Sequence, residues 1–509
     1  MMSTMWVMVV AILLYTAMMI YVGIRCSKKN KTTDDFYLGG RKLGPIVTAM
    51  SAEASDMSAW LLMGLPGVAL MTGLAEATWT AIGLAVGTYL NWLFVAKRLR
   101  NYTEKVGAVT LPEFFSKRFK DDKNILSAIA AVVIIVFFIP YTASGFSACG
   151  KLFSNIFNMD YSAAMLISAI VIVIYCTLGG FLAASTTDLI QSIVMTFALF
   201  TALGIGEGMI GGFGNVFANL RGLDGYLDIT KGFDVAKNTT GSYGGFPIAT
   251  TLAWGLGYFG MPHVLLRFMA IDDAKKLKTS RRIASIWVVI SMAIAVLIGV
   301  VGYSLMKAGI VPNYDSASSA ETIFVDIASF LATVGYIPAL VGGIFLAGIL
   351  ASTMSTADSQ LIAASSSVTR DLIMNTFKVQ ISQKTAMLVA RASVILIAVI
   401  AVFLANNPNS SVFRVVSFAW AGFGAAFGPV MLFSLFWKRT TKWGALAGMI
   451  SGGAMVFIWK FVIAKIGGVF AIYELLPAFI IASVFIVIVS LIDKKPSLEI
   501  VNEFETVGK

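Results

Sequence analysis

Two carboxylates, Glu53 and Asp56, and three serines, Ser51, Ser55 and Ser58, fall inside one otherwise apolar run, Pro45 to Gly67 (PIVTAMSAEASDMSAWLLMGLPG). A helix facing lipid does not hold such groups. On insertion scales a carboxylate at the bilayer centre costs about 2.5–3.5 kcal/mol, and it is kept where it meets a partner, a cavity or an ion. Gly64, Pro66 and Gly67 follow directly. Helix breakers at that depth predict a discontinuous helix whose freed carbonyls bind a cation. The chemistry expected is an ion and substrate site at mid-membrane.

A second polar constellation is Ser352-Thr-Met-Ser-Thr-Ala-Asp-Ser-Gln360. Ser352, Ser355 and Thr356 stand at i, i+3 and i+4, on one helical face. A dehydrated sodium ion is a hard cation that takes several oxygens, and hydroxyls with unwound carbonyls supply them without excess charge. The carbonyls of Ala54 and Met57 at the break would complete the shell. Ser and Thr hydroxyls in helices also bond their own backbone, so the cluster draws its meaning from the broken helix it faces. A third stretch, Trp254-Gly-Leu-Gly-Tyr-Phe-Gly-Met-Pro-His263, is another Gly/Pro interruption of similar length. Gly255, Gly257 and Gly260 would also serve close helix packing.

The elements that must position these groups are transmembrane helices. The 509 residues are 58% hydrophobic and only 13% charged, with mean hydropathy +0.84, against about 25% charged in soluble domains. Nucleic acid is not the partner that the +11 net charge implies, because in a membrane protein the placement of Lys and Arg decides. Thirteen apolar spans are expected: 6–24, 45–71, 77–96, 125–149, 162–182, 189–211, 245–269, 283–306, 333–368, 386–405, 412–437, 443–463 and 471–492. Most approach the roughly 20 residues of a crossing; 333–368 is longer, so its polar second half is expected to run past the membrane. The first span, followed by RCSKKNK, reads as a retained anchor.

Of the 38 Lys and Arg, 29 fall in alternate loops and the C-terminal tail. The positive-inside rule then puts the N-terminus outside and the C-terminus in the cytoplasm; the expected location is the plasma (inner) membrane, as a multi-pass protein. Cys26, Cys149 and Cys176 form neither a disulfide framework nor a zinc pattern. No phosphate loop and no soluble catalytic domain is present in the sequence, so no enzyme and no ATP-driven pump is expected. The breaks in spans 2 and 7 are offset by five spans, which points to inverted repeats with the site at their interface. The expected division is an extra helix and basic loop (1–42), a first repeat (43–212), an outside loop acting as a cap (213–242), a second repeat (243–437), and two further helices with a short polar tail (438–509).

The motifs SAEASDMSAWLLMGLPG, WGLGYFGMPHVLLRFMA and ASTMSTADSQL, with YLGGR ending at Arg41, strongly resemble the sodium/solute symporter family, in particular its sodium/proline symporters, over essentially the whole chain. The resemblance implies an all-α polytopic protein with the leucine-transporter-type five-plus-five inverted repeat. It implies a sodium site of the Ala54, Met57 and Ser352 carbonyls with the Ser355 and Thr356 hydroxyls. Asp56 matches a carboxylate needed for sodium, Asp188 one near the inner sodium path, and Ser58 a residue at both sodium and proline. Tyr141, Trp254, Tyr258 and Pro262 match a proline pocket, with Ala59 beside it. Ala59 stands where the proline branch has Gly, and Glu53 where some members have a small residue.

Other roles are open to several of these residues. Trp and Tyr are common in interfacial belts, Asp188 could serve a helix N-terminus, and Arg267 could close the inner side or snorkel. His263 is expected to be a satisfied structural group rather than a proton relay. The function expected is sodium-coupled import of L-proline by alternating access, with sodium as the coupling ion, no cofactor, and the lipid bilayer as surroundings. The alternatives are a sodium symporter for another small amino acid or organic anion, or a channel or sensor.

Overall fold

The computed structural model describes residues 2–27 and 33–508, so the basic run of residues 28–32 lies outside the described residues. Almost everything in it is helical. We number the main helices α1 (Met2–Ser27), α2 (Pro45–Thr72), α3 (Leu74–Lys105), α4 (Ile125–Phe157), α5 (Tyr161–Thr177), α6 (Gly179–Ile210), α7 (residues 245–270), α8 (Leu277–Lys307), α9 (Tyr336–Thr376), α10 (Gln383–Ala405), α11 (Val412–Phe436), α12 (Lys442–Phe461), α13 (Leu475–Ile492) and α14 (Leu498–Gly508). Eleven of them are long and apolar enough to cross a membrane. The exceptions are α5, which is short, α7, which is interrupted, and the polar α14. The chain is a multi-pass membrane protein.

Two helices are broken as the sequence predicts. α2 starts on Pro45 and loses helical geometry at Ser58 (φ 46, ψ −172). A π turn over Trp60–Gly64 follows, then a last helical stretch to Thr72. α7 is helical over Gly245–Leu252, tightens to 3-10 geometry over Ala253–Gly260, passes through extended Met261, and resumes on Pro262. Proline at a first helical position leaves no backbone donor unsatisfied, which is why both restart or start points carry one.

The 3-10 segment lies between α3 and α11. A Cβ on Gly87 would collide with the Gly255 carbonyl, and one on Gly257 with the Trp420 indole. The α7 glycines therefore serve close packing as well as the break. The second half of α7 packs on α2, and α9 packs along α2, α1 and the α5–α6 pair.

Several expected boundaries differ. α5 and α6 form one hydrogen-bonded run turned at Gly180 (φ 68, ψ 179), so residues 183–188, expected in a loop, are helical. The long ninth span divides at Gly335, and its polar half is buried inside the protein from Ser352 to Ser367. The expected cap is ordered: helix Phe213–Leu220 leads to a hairpin pairing Lys231–Asp234 with Thr239–Ser242, and buried Tyr226 donates its hydroxyl to the Ala69 and Leu70 carbonyls (3.1 and 3.0 Å) at the end of α2. The tail expected to be merely polar forms α14, with Lys120 pairing Glu499 and Glu503 (3.3 and 2.9 Å) and Lys438 pairing Glu505 (3.0 Å). Cys149 and Cys176 are free and buried.

Candidate ion and substrate site

The break in α2 meets the polar face of α9. The Ser355 hydroxyl donates to the Ala54 carbonyl (2.7 Å) and lies 3.2 Å from the Ser352 carbonyl, which also accepts from the Thr356 hydroxyl (3.0 Å). Four of the five oxygens expected around an ion thus form one buried group. The fifth, the Met57 carbonyl, stands on the same turn and accepts the Trp60 N–H. Ser58 Oγ accepts from the Trp60 N–H as well (3.1 Å), a local cap that holds the positive-φ serine. Bonds from Ser355 and Thr356 to their own backbone are present, but the one to Ala54 crosses between helices, which a self-satisfied serine would not need.

Asp56 points elsewhere. Its Oδ2 accepts the Tyr258 hydroxyl (2.6 Å), and its carbonyl accepts the Tyr141 hydroxyl (3.0 Å). Tyr141 and Tyr258, each about 1% exposed, thereby converge on one residue of the break from α4 and α7. The Trp254 ring lies 5.5 Å from Trp60, 5.2 Å from Phe413 and 5.3 Å from Tyr473. It is buried in an aromatic cluster and is no interfacial belt residue. Trp420 closes the wall: its indole N–H donates to the Trp254 carbonyl (2.8 Å) and its ring meets Tyr258 edge-on at 5.0 Å. Ala59 is buried at the turn, and Pro262 opens the second half of α7.

Asp188 lies well inside α6, so it is not a partner for a helix N-terminus. Its Oδ2 accepts from Ser51 (2.6 Å) and from Arg267 (3.0 Å). Arg267 also donates to Ser51, to Ser359 on α9 (2.6 Å) and to the His263 carbonyl, and stacks over Phe181. At 1% exposure it does not snorkel. It knots α2, α6, α7 and α9 together one to two turns before the break. His263 is packed against the Phe138 and Tyr141 rings, and neither ring nitrogen has a hydrogen-bond partner.

Some participants escaped sequence reasoning. Asn91 and Trp92 on α3 reach the site: Trp92 donates its indole N–H to Glu53 Oε1 (3.0 Å), and Asn91 donates to the Tyr258 carbonyl (3.0 Å). An asparagine deep in an apolar span was the available signal. Arg41 ties the start of α2 to the Met269, Thr103 and Ala108 carbonyls. At the opposite end, Glu321 accepts the Val412 and Phe413 N–H groups of α11 and pairs with Lys151 of α4 at 2.7 Å, a buried clamp that places Phe413 against Trp254.

Comparison with known proteins follows this geometry. Residues 36–452 match the model of the sodium:solute symporter family. The osmoregulated proline transporter OpuE of Bacillus subtilis is 42% identical over 96% of this chain and 95% of its own length. The sodium/proline symporters of Haemophilus influenzae (97% of this chain, 96% of that one) and Escherichia coli (98% and 95%) are also 42% identical. Among solved structures, a substrate-bound outward-open sodium-coupled sialic acid symporter superposes with a TM-score of 0.78 at 19% identity, over 96% of this chain and 99% of that one. A nucleobase-cation-symport-1 family transporter superposes at 0.52 and 13% identity, over 94% and 99%. The chain belongs to the sodium:solute symporter family and is a transporter, not an enzyme.

Proposed function

We propose that the protein is a secondary active symporter that imports L-proline with sodium by alternating access. One observation carries the reading: in a chain 42% identical over nearly its full length to sodium/proline symporters, a hydroxyl of α9 meets a carbonyl of broken α2 at 2.7 Å. Sodium is held by the Ala54, Met57 and Ser352 carbonyls and the Ser355 and Thr356 hydroxyls. Binding turns the hydroxyl protons off the carbonyls, so that hydroxyl and carbonyl lone pairs together face the ion, and fixes α2 against α9. Asp56 supplies negative charge at the break, and Asp188 marks the inner end of the ion's path.

The proline pocket is formed by Ser58, Ala59, Tyr141, Trp254, Tyr258 and Pro262. The aromatic faces enclose the pyrrolidine ring, and N–H groups at the break hold its carboxylate. Ordering the break with sodium raises affinity for proline, and the effect is reciprocal. We further propose that α5 and interrupted α7 also cross, giving thirteen transmembrane helices. Helices α2–α6 and α7–α11 are then inverted repeats, with α1, α12 and α13 as additions, the N-terminus outside and the C-terminus in the cytoplasm of the inner membrane.

The test is uptake of a panel of labelled amino acids by proteoliposomes with and without an inward sodium gradient. Sodium-dependent, saturable uptake of proline with counterflow is expected. Preference for another solute would move the substrate assignment, and flux without saturation or counterflow would make the protein a channel.

A further inference from the structure

The aromatic wall around Trp254 includes one ring that helices α2 to α11 do not supply. Trp60 comes from α2, and Phe413 and Trp420 from α11. Tyr473 comes from the connection between α12 and α13. Residues 462–472 of that connection are exposed or half-buried, yet Tyr473 turns inward and is 8% exposed. Its ring lies 5.3 Å from Trp254 at an interplanar angle of 25°, against 37°, 49° and 32° for Trp60, Phe413 and Trp420. It is the most nearly parallel of the four.

The surrounding chain fixes that ring in place. The Tyr473 hydroxyl donates to the Ser417 carbonyl of α11 at 2.6 Å. Phe413 and Trp420 stand at i−4 and i+3 from Ser417, so one helical face carries the tether and both neighbouring rings. Glu474, the next residue, pairs with Lys460 at the end of α12 (2.9 Å), whose ammonium also lies 4.8 Å over the Phe418 ring. Leu475 and Phe479 then sit over Gly424 and Gly428 of α11, where an added Cβ would come within 2.7 and 2.6 Å of them. Gly424 in turn lies against Gly257 in the 3-10 segment of α7. A buried tyrosine hydroxyl usually finds an acceptor, so the bond to Ser417 alone says little. The near-parallel stack on a pocket ring is what separates Tyr473 from a packing residue.

We propose that Tyr473 is a positioning residue for the substrate pocket: stacking on Trp254 from the accessory helices, it fixes the wall against which the ring of a cyclic imino acid lies, and so sets the ring size accepted. The indole N–H of Trp420 holds the Trp254 carbonyl at 2.8 Å, which fixes the main chain but not the two side-chain torsions of the Trp254 ring. Contacts on the ring itself fix those. Without Tyr473 the Trp254 ring gains room on the α13 side, the pocket widens, and discrimination between ring sizes falls. One methylene in an apolar pocket is discriminated about tenfold or more, and that is the selectivity at stake.

The inference rests on sodium-coupled proline import, and its test keeps the two apart. Proline uptake by proteoliposomes at saturating sodium is measured for wild type, Tyr473→Phe and Tyr473→Ala, with pipecolate, the six-membered homologue, as competitor. Wild type should prefer proline about tenfold or more; no preference would overturn the ring-size claim. Tyr473→Ala should raise the KM for proline about two- to tenfold, the worth of one aromatic pair, and narrow the preference over pipecolate by a similar factor. Tyr473→Phe keeps the stacked face and should hold both within about twofold of wild type. A residue that only packs would lower the amount of folded protein, hence the maximal rate, and leave KM and preference unmoved. That result for Tyr473→Ala overturns the proposal. So does an equal loss of preference in Tyr473→Phe, which would assign the effect to the Ser417 bond. If Tyr473→Ala does not fold, Tyr473→Leu, with bulk but no flat face, takes its place with the same two outcomes. Wild-type protein without sodium-driven proline uptake would instead remove the functional reading on which the inference stands.

Discussion

Replacing Ser355 and Thr356 with alanine perturbs the ion site at the point where two helices meet. In the sodium-free arrangement the substitutions remove one interhelical hydrogen bond, Ser355 to Ala54 at 2.7 Å, and two intrahelical ones to the Ser352 carbonyl at 3.2 and 3.0 Å. Hydrogen bonds of this kind contribute about 0.5–1.5 kcal/mol net. Folding and insertion should change little. With sodium bound, each hydroxyl is a ligand to a charge, an interaction of about 1.5–3 kcal/mol. One substitution should therefore raise the sodium concentration for half-maximal uptake about tenfold or more, and the pair about 100-fold or more, since about 1.4 kcal/mol is a factor of ten. The assay is initial-rate proline uptake against sodium concentration, normalised to protein in the membrane, with thermal unfolding in detergent alongside. A double variant with wild-type sodium dependence would refute the site.

The aromatic wall and the buried acids give further outcomes. Trp254→Ala should weaken proline binding at saturating sodium by roughly 1–3 kcal/mol, the area-burial worth of one apolar wall; unchanged affinity with reduced expression would make the ring a packing residue. Asp56→Asn keeps the bond to Tyr258 within reach but removes the charge, so sodium-stimulated proline binding should vanish, whereas Asp56→Glu should keep partial function at high sodium. Wild-type stimulation in Asp56→Asn would leave the ion to carbonyls and hydroxyls alone. Arg267→Gln leaves Asp188 buried without its partner and should cost about 3–5 kcal/mol of stability. Adding Asp188→Asn should recover much of that in a double-mutant cycle read by thermal unfolding, and additive losses would show the pair is not coupled.

How much of this was legible in the sequence follows from where the signals lie. The break in α2 announces itself because Glu53, Asp56, Gly64 and Pro66 are anomalous in an apolar run, and the break in α7 for the same reason. Ser352, Ser355 and Thr356 share a face by helical periodicity alone, so their meeting with α2 could be anticipated. The third wall could not. Asn91, Trp92, Trp420 and Phe413 reach the site only through tertiary packing of α3 and α11 against the α7 glycines, and of the four only Asn91, polar in an apolar span, stands out in the sequence. The Gly180 turn was missed because hydrogen bonding continues through it; a polar STTD stretch after two glycines reads as a loop. The amphipathic α14 was missed because its partners, Lys120 and Lys438, are far away in sequence.

The central claim is that sodium and proline bind to one broken helix and strengthen each other. Proline binding to purified protein measured across sodium concentrations, paired with sodium binding measured across proline concentrations, tests it most directly. The account predicts that saturating sodium raises proline affinity by some factor and that proline raises sodium affinity by the same factor. Proline affinity independent of sodium would contradict it.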